Sequence, residues 1–470
     1  MSSPPVASSS GVPATSVSGP AAPVAGPRQP AGPPIPEVAL QARLDAIRIK
    51  YRLPGVSATI IWPDGRAWTG VSGWADVGHR VKVVPGTAFS IGSVSKTFLA
   101  ALVLQLVHEG RLTLDDPVRH WLPGAKVSMH VTVREMLDHT SGLYDFFGNA
   151  KIDSALLARP RRVWSPSMAL SFMKAPYCDP GTCWVYSNSN YVLLGQLVER
   201  VTGRSATTEL RERFFDPLGL GRTFVQGVEP RRGTVATAYK LAGSVATRTT
   251  SSLADGTGIA PFTSLVTAAG TAGDIASSSA DLARWARGLY GGTVLAPDSL
   301  AMMLDTSRSR QLHAPKAYGF GMEAVTLGGR FTVGHNGRLI GSRASIRYLP
   351  QSGFTVAVVT NQDPVGPDVF GTSLLNIAIA STAPPPVQVQ YGSGPGTSAV
   401  GPLSMAMPPV PSTAPLAPSS STAPSASPAP AGAGSIPAPT LGPPPELYPP
   451  GTYQPVPTFA PPAQDHRRAL

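Results

Sequence analysis

The sequence predicts an α+β fold, in which an antiparallel sheet built from both chain ends is covered by helices, with a mostly helical lobe beside it. Three observations lead there. Near the start, strand-like runs Val56–Trp62 and Arg66–Gly73 are joined through Pro63-Asp64-Gly65, a hairpin signal. Near the other end lie four β-like segments, Tyr318–Val325, Arg330–His335, Ser342–Leu349 and Phe354–Thr360. Between the two groups, from Ser93 to about residue 310, the chain reads as helical and loop-rich. Helices close the unit at both ends. Val38, Leu40, Leu44, Ile47 and Tyr51 fall at helical spacing, and a last amphipathic segment runs from about Asp368 to Ser381. A sheet lobe beside a helical lobe leaves a cleft, a usual home for an active site.

Composition divides the chain into three parts. Of 51 prolines, 10 fall in residues 1–36 and 24 in residues 383–470, where charge and large apolar side chains are scarce. Such segments bury too little surface to offset the entropy of ordering, so disorder is expected for both. Residues 37–382 form the expected folded unit, long enough for one large core or two lobes. Most of the net charge of +11 lies there. A basic surface suits anionic partners, but no Lys/Arg run is interleaved with aromatics, so nucleic acid is not an expected partner. No apolar stretch is long enough to cross a membrane as a helix. No leader is legible at Met1-Ser2-Ser3-Pro4-Pro5. Against that, the only cysteines, Cys178 and Cys183, flank the turn-forming Asp179-Pro180-Gly181-Thr182. A small-loop disulfide is expected there, which favours export.

Chemistry enters at Ser93-Val94-Ser95-Lys96, where the strand-like Phe89-Ser90-Ile91 hands over to an apolar helix. Residues three apart on a helix share a face, with Cβ atoms roughly 5–6 Å apart. The Lys96 amine therefore comes within reach of the Ser93 hydroxyl. A serine needs a base to act as a nucleophile at neutral pH. A lysine serves as that base when burial or a neighbouring charge keeps it neutral. The Ser93 N–H, at the positive end of the helix, is placed to hold an oxyanion. Ser171-Phe172-Met173-Lys174 has the same spacing, but nothing around it suggests a site.

Two further segments complete a candidate set. Trp184-Val185-Tyr186-Ser187-Asn188 precedes a helical run, Val192–Val201, and offers a phenol and an amide. A phenol near a serine and a lysine is able to carry a proton from nucleophile to leaving group. Gly334-His335-Asn336-Gly337-Arg338 closes a predicted strand, and Gly337 lets a backbone approach a ligand closely. A substrate laid along this edge would pair with main-chain groups, and the N–H after Gly337 would complete the oxyanion hole.

These segments, with Phe89–Gly110, Val131–Leu143 and Gly273–Tyr290, follow the order and spacing of one family. Over roughly residues 40–380 the chain resembles the serine β-lactamase/D-alanyl-D-alanine carboxypeptidase family, in its class C branch with penicillin-recognising peptidases and related esterases. The resemblance implies an acyl-enzyme on Ser93 with Lys96 as its partner and Tyr186 as general acid/base. It implies substrate contacts from Asn188, His335, Asn336, Gly337 and Arg338, a bracing role for His139, and no cofactor. The triplet departs from the family pattern: His335 replaces a common lysine, and Asn336 stands where a hydroxyl is common. That weakens the expected grip on a substrate carboxylate, for which Arg338 and Arg343 are the candidate cations. No metal-ligand spacing occurs among the eight histidines, and no G-x-S-x-G elbow is present. The expected function is serine hydrolysis of D-alanyl-D-alanine-type cell-wall peptides or β-lactams. The rivals are an esterase on short acyl esters and a catalytically silent penicillin-binding or wall-associated sensor.

Overall fold

The computed structural model describes residues 33–382. The disordered tails expected over 1–36 and 383–470 therefore lie outside the described residues, apart from 33–36. There, Ile35 packs against the first helix and its cluster.

Eight antiparallel strands form the main sheet: β1 (Gly55–Ile61), β2 (Ala67–Asp76), β3 (Val81–Lys82), β4 (Ala317–Tyr318), β5 (Glu323–Leu327), β6 (Arg330–Leu339), β7 (Ser342–Tyr348) and β8 (Thr355–Thr360). Their spatial order is β3-β2-β1-β8-β7-β6-β5-β4, so the two chain ends meet at the β1–β8 pair, Val56 opposite Thr360. β1 is buried at every position, because helices cover both of its faces. On one side, α1 (Glu37–Lys50) and the C-terminal helix Asp368–Ala380 bury Leu40, Leu44, Phe370 and Leu374 with Val56, Ala58 and Val358. On the other side, Trp285 of the helix Ser279–Tyr290 stacks on Phe98 at 3.9 Å.

Phe98 belongs to α2 (Ser95–His108), which is apolar almost all round and runs through the middle of the molecule. A helix with no polar face is stable only when surrounded. The lobe around it supplies that surround, chiefly through α3 (Asn188–Thr202), which ends at Gly203 in a left-handed cap, and the helix Pro297–Leu304, while α4 (Thr263–Ala269) leads into the turn Gly270–Ala272 beside it.

Three expectations are corrected. The strand expected over Tyr318–Val325 is broken into β4 and β5, because Gly321 takes a positive φ of 67° and turns the chain onto α2. The strand holding His335 runs four residues past it, to Leu339. The helical stretch also contains short strand pairs, Phe89–Ser90 with Ile275–Ser277 and Tyr239–Ala242 with Thr249–Ser252. These are too brief to leave a period in the sequence. Among the described residues no helix is long and apolar enough to cross a membrane.

Candidate active site

Ser93 sits in a single 3-10 turn, Gly92–Val94, directly ahead of α2. Lys96, one turn further on, is completely buried, and its Nζ has three neighbours. These are Ser93 Oγ at 3.1 Å, Asn188 Oδ1 at 2.8 Å and the Ala272 carbonyl oxygen at 2.8 Å. Burial drives the Lys96 pKa down to about 7, although the Asp145 carboxylate pulls the other way. The geometry discriminates between protonation states. Asn188 Oδ1 and Ala272 O are acceptors only, so each must receive an N–H. Once the amine is neutral, those two bonds use both of its hydrogens and its lone pair is left for the Ser93 hydroxyl.

Asn188 opens α3 and is oriented from behind. Its Nδ2 donates to Asp145 Oδ2 at 3.0 Å, while its Oδ1 accepts from Lys96. A carboxylate on one side and an amine on the other fix which way the amide points. Asp145 also accepts from the Phe147 N–H, capping the turn Phe146–Gly148.

The Tyr186 phenol is buried, and burial raises its pKa far above the ordinary value of a tyrosine. It is therefore a proton donor in the resting site. Ser93 is its one hydrogen-bonding neighbour, but no pair meets the distance and angle of a full bond, so the phenol oxygen is unpartnered among the described residues. The ring lies 4.2 Å from that of His139 and 5.0 Å from Lys96 Nζ.

His139 clamps this segment. Its Nδ1 accepts from the Ser187 N–H and faces Asn190 Nδ2, each at 3.2 Å, and its carbonyl accepts from the Val185 N–H at 3.0 Å. The disulfide Cys178–Cys183 closes the loop just before Tyr186, with a Cα–Cα distance of 6.3 Å. That loop is tied to the His139 segment by Tyr177 N–H to Gly142 O and Gly181 N–H to Thr140 O, both 2.8 Å.

On the sheet side, β6 pairs with β5 only from Arg330 to Gly334, so no strand covers residues 335–339 on that edge. Alternation along β6 divides the expected residues into two sets. His335 and Gly337 face the Ser93 turn, and Asn336 and Arg338 face away. His335 is buried, and burial lowers its pKa to about 4, so the ring is neutral. Its Nδ1 lies 2.6 Å from Asn336 O and its Nε2 2.9 Å from the Tyr318 hydroxyl. Gly337 presses against Ile91, and Gly92 against Arg338, so closely that a Cβ on either would overlap the opposing backbone.

Asn336 Nδ2 instead donates to Asp368 Oδ2 at 3.0 Å. Arg338 forms an ion pair with Asp363 at 2.9 Å, and Arg343 Nε donates to the Asp363 carbonyl at 2.5 Å. The two candidate cations for a substrate carboxylate thus meet on one residue of the chain itself. The second S-x-x-K is not a site: Ser171 Oγ donates to Met168 O and Lys174 lies over the Tyr144 ring. Sequence reasoning missed Asp145, Tyr318 and the Ala272 carbonyl. Asp145 follows two residues after the Val131–Leu143 motif, the nearest thing to a signal for it, and a backbone carbonyl leaves none.

Comparisons with known proteins establish the family. The beta-lactamase family model matches residues 39–380. The chain belongs to the beta-lactamase family. It is 31% identical over 343 residues to penicillin-binding protein 4 of Amycolatopsis lactamdurans, covering 68% of this chain and 84% of the relative. It is 28% identical over 351 residues to a D-aminopeptidase of Cereibacter sphaeroides, covering 74% of this chain but 64% of the relative. Among solved structures, a D-stereospecific amidohydrolase from Streptomyces superposes with a TM-score of 0.61 at 29% identity, over 74% of this chain and 99% of that one. A D-amino acid amidase from Ochrobactrum anthropi shares the fold, with a TM-score of 0.62 at 24% identity over 74% and 99% of the two chains. The family is one of serine hydrolases that includes penicillin-binding proteins and D-aminopeptidases.

Proposed function

We propose that this chain hydrolyses amide bonds beside a D-amino acid through an acyl-enzyme on Ser93, with D-alanyl-D-alanine-type cell-wall peptides as substrates and β-lactams as their mimics. The single observation behind this reading is the amine of Lys96, buried, held near neutrality and fastened by two carbonyl oxygens so that its lone pair meets Ser93.

In the proposed sequence, Lys96 takes the Ser93 proton as Oγ attacks the substrate carbonyl. The N–H groups of Ser93 and Arg338 hold the resulting oxyanion. Tyr186, protonated at rest, gives its proton to the leaving nitrogen as the C–N bond breaks, and recovers one from the Lys96 ammonium. Water then attacks the ester at Ser93 with the same groups acting in reverse, releasing the acid and restoring the hydroxyl. The uncovered edge 335–339 pairs with the substrate backbone, with His335 fixing the strand through Tyr318 rather than carrying charge.

A second reading, a D-amino-acid amidase or an esterase, draws on the Asp363 contacts. With Arg338 and Arg343 both directed to Asp363, the triplet suits a leaving group that carries no carboxylate. Intact mass after incubation with benzylpenicillin, together with D-alanine release from a D-alanyl-D-alanine peptide, tests the first reading. Turnover of D-amino acid amides or p-nitrophenyl esters alone would favour the second. No adduct from any of them that is lost in Ser93→Ala would overturn both.

A further inference from the structure

Away from the cleft, four arginines gather around one turn, and a fifth adjoins them in sequence. Arg159, Arg161 and Arg162, with Pro160 and Asp255, line an open groove of about 520 Å³. Arg161 reaches over Gly256, its Nη2 3.1 Å from where a Cβ would lie, and donates through Nε to the Asp255 carbonyl at 2.6 Å. Arg231 packs over Gly258, two residues along the same turn, and Arg232 follows it. All five are exposed. The carboxylates that would ordinarily balance them are committed elsewhere. Asp255 accepts from the N–H and hydroxyl groups of both Thr257 and Thr263, which hold its carboxyl below the usual range despite burial. Glu229 is paired with Arg211. Among the described residues none of the five arginines forms an ion pair.

Like charges concentrated on a surface repel one another and raise the local concentration of anions. Guanidinium groups match phosphate and carboxylate oxygens two at a time, which makes such a cluster a recognition surface rather than a mere charge. The position is also informative. α4 begins beside this turn at Thr263 and leads into the turn Gly270–Ala272, whose last carbonyl holds Lys96. The seven residues of α4 at a helical rise span about 10 Å, and the short turn follows directly. An extended chain lying in the groove thus passes within a few sugar or peptide units of Ser93.

We infer that this groove binds an extended polyanion of the cell wall, seating the polymer while the neighbouring cleft works on peptide attached to it. The wall context rests on the function proposed above; the binding does not. Nucleic acid is the less favoured polyanion, because no aromatic side chain lines the groove for bases to stack on. The disulfide also points to an oxidising compartment.

The test is fluorescence titration of the full chain with poly(glycerol phosphate), polygalacturonate and oligothymidylate of matched charge over a range of salt. The expected result is binding of one or both of the first two, and the tighter of them identifies the anion. The variant R161Q/R162Q/R231Q should bind at least tenfold more weakly, with a salt slope reduced by about two. Its rate of Ser93 acylation by a small ester should be unchanged. If that variant misfolds, R159Q/R232Q gives the same readout. The inference is overturned if neither wall polymer binds, if the variants bind as well as the parent, or if oligothymidylate binds more tightly than both. Loss of all Ser93 acylation with polymer binding intact would remove the proposed hydrolysis and leave the groove standing.

Discussion

Gly337 and Ile91 stand so close that a Cβ on the glycine would overlap the Ile91 carbonyl oxygen. This contact sets the distance between the open strand edge, where substrate is proposed to lie, and the turn that carries Ser93. Alanine at 337 must push the two apart, since both partners at the contact are backbone. A misplacement of about 1 Å in a reacting geometry costs roughly 100-fold in rate. Gly337→Ala is expected to lower kcat/KM for acylation by about that factor. Stopped-flow acylation by a chromogenic ester or β-lactam reads it, and a rate within threefold of the parent would remove the contact from the mechanism.

The Lys96 arrangement fixes the sign of the pH dependence. Below about pH 7 the amine is an ammonium, its three N–H groups are directed to three acceptors, and no lone pair faces Ser93. Acylation is therefore expected to rise with pH through an apparent pKa near 7. The Asp145 carboxylate favours the charged amine, so its neutralisation should move that limb to lower pH. Asp145→Asn keeps an acceptor for Asn188 but strips the Phe147 N–H of its own, so the Tm of the variant is measured beside its pH profile. A pH profile of kcat/KM for both proteins checks the shift, and an upward or absent shift contradicts the assignment.

How much of this was legible beforehand depends on the type of signal. The hairpin at Pro63-Asp64-Gly65, α1 and the C-terminal helix were readable because period and turn chemistry agree at each. The Ser93–Lys96 pair was readable because helix geometry alone makes i and i+3 neighbours. The direction of Asn336 and Arg338 was not, because their partners, Asp368 and Asp363, lie 32 and 25 residues on. Strand alternation puts them opposite His335 and Gly337, but only once the strand is known to continue past His335. Asp145 was missed for a similar reason. A lone aspartate in a loop has no spacing to mark it, and its role exists only when Asn188 arrives beside it.

The disulfide is expected to matter to rate more than to stability. It closes a loop of five residues' separation, for which the loop-closure model gives only about 2 kcal/mol. The same loop, however, is bonded to the His139 segment that aligns Val185, Ser187 and the ring of Tyr186. The double substitution Cys178→Ser/Cys183→Ser should lower the Tm modestly and reduce kcat by a larger factor than KM changes. Calorimetry with steady-state kinetics on the same samples decides this. A variant with a lowered Tm and unchanged kcat would assign the bridge a purely structural role.

Stability should instead depend heavily on Arg347, whose side chain is 1% exposed and lies between Glu323 at 3.2 Å and Asp368 at 3.4 Å. Replacing it with methionine keeps the volume but strips the buried Glu323 carboxylate of one of its two cationic partners, a loss of about 3–5 kcal/mol. Burial, the largest single influence on Glu323, would raise its pKa, yet Arg347 and Lys316, joined by His335 once that ring protonates below about pH 4, hold it at about 2. A carboxylate whose folded pKa is depressed adds stability above its unfolded pKa and loses it as pH falls through the folded value. For the parent chain that loss spans roughly pH 4.5 down to 2. In Arg347→Met the Glu323 pKa rises, so acid unfolding should begin at a higher pH, and Glu323→Gln in the same background should largely abolish the shift. Urea unfolding followed between pH 3 and 7 measures both, and an unchanged acid midpoint in Arg347→Met would show that Lys316 and His335 balance Glu323 without it.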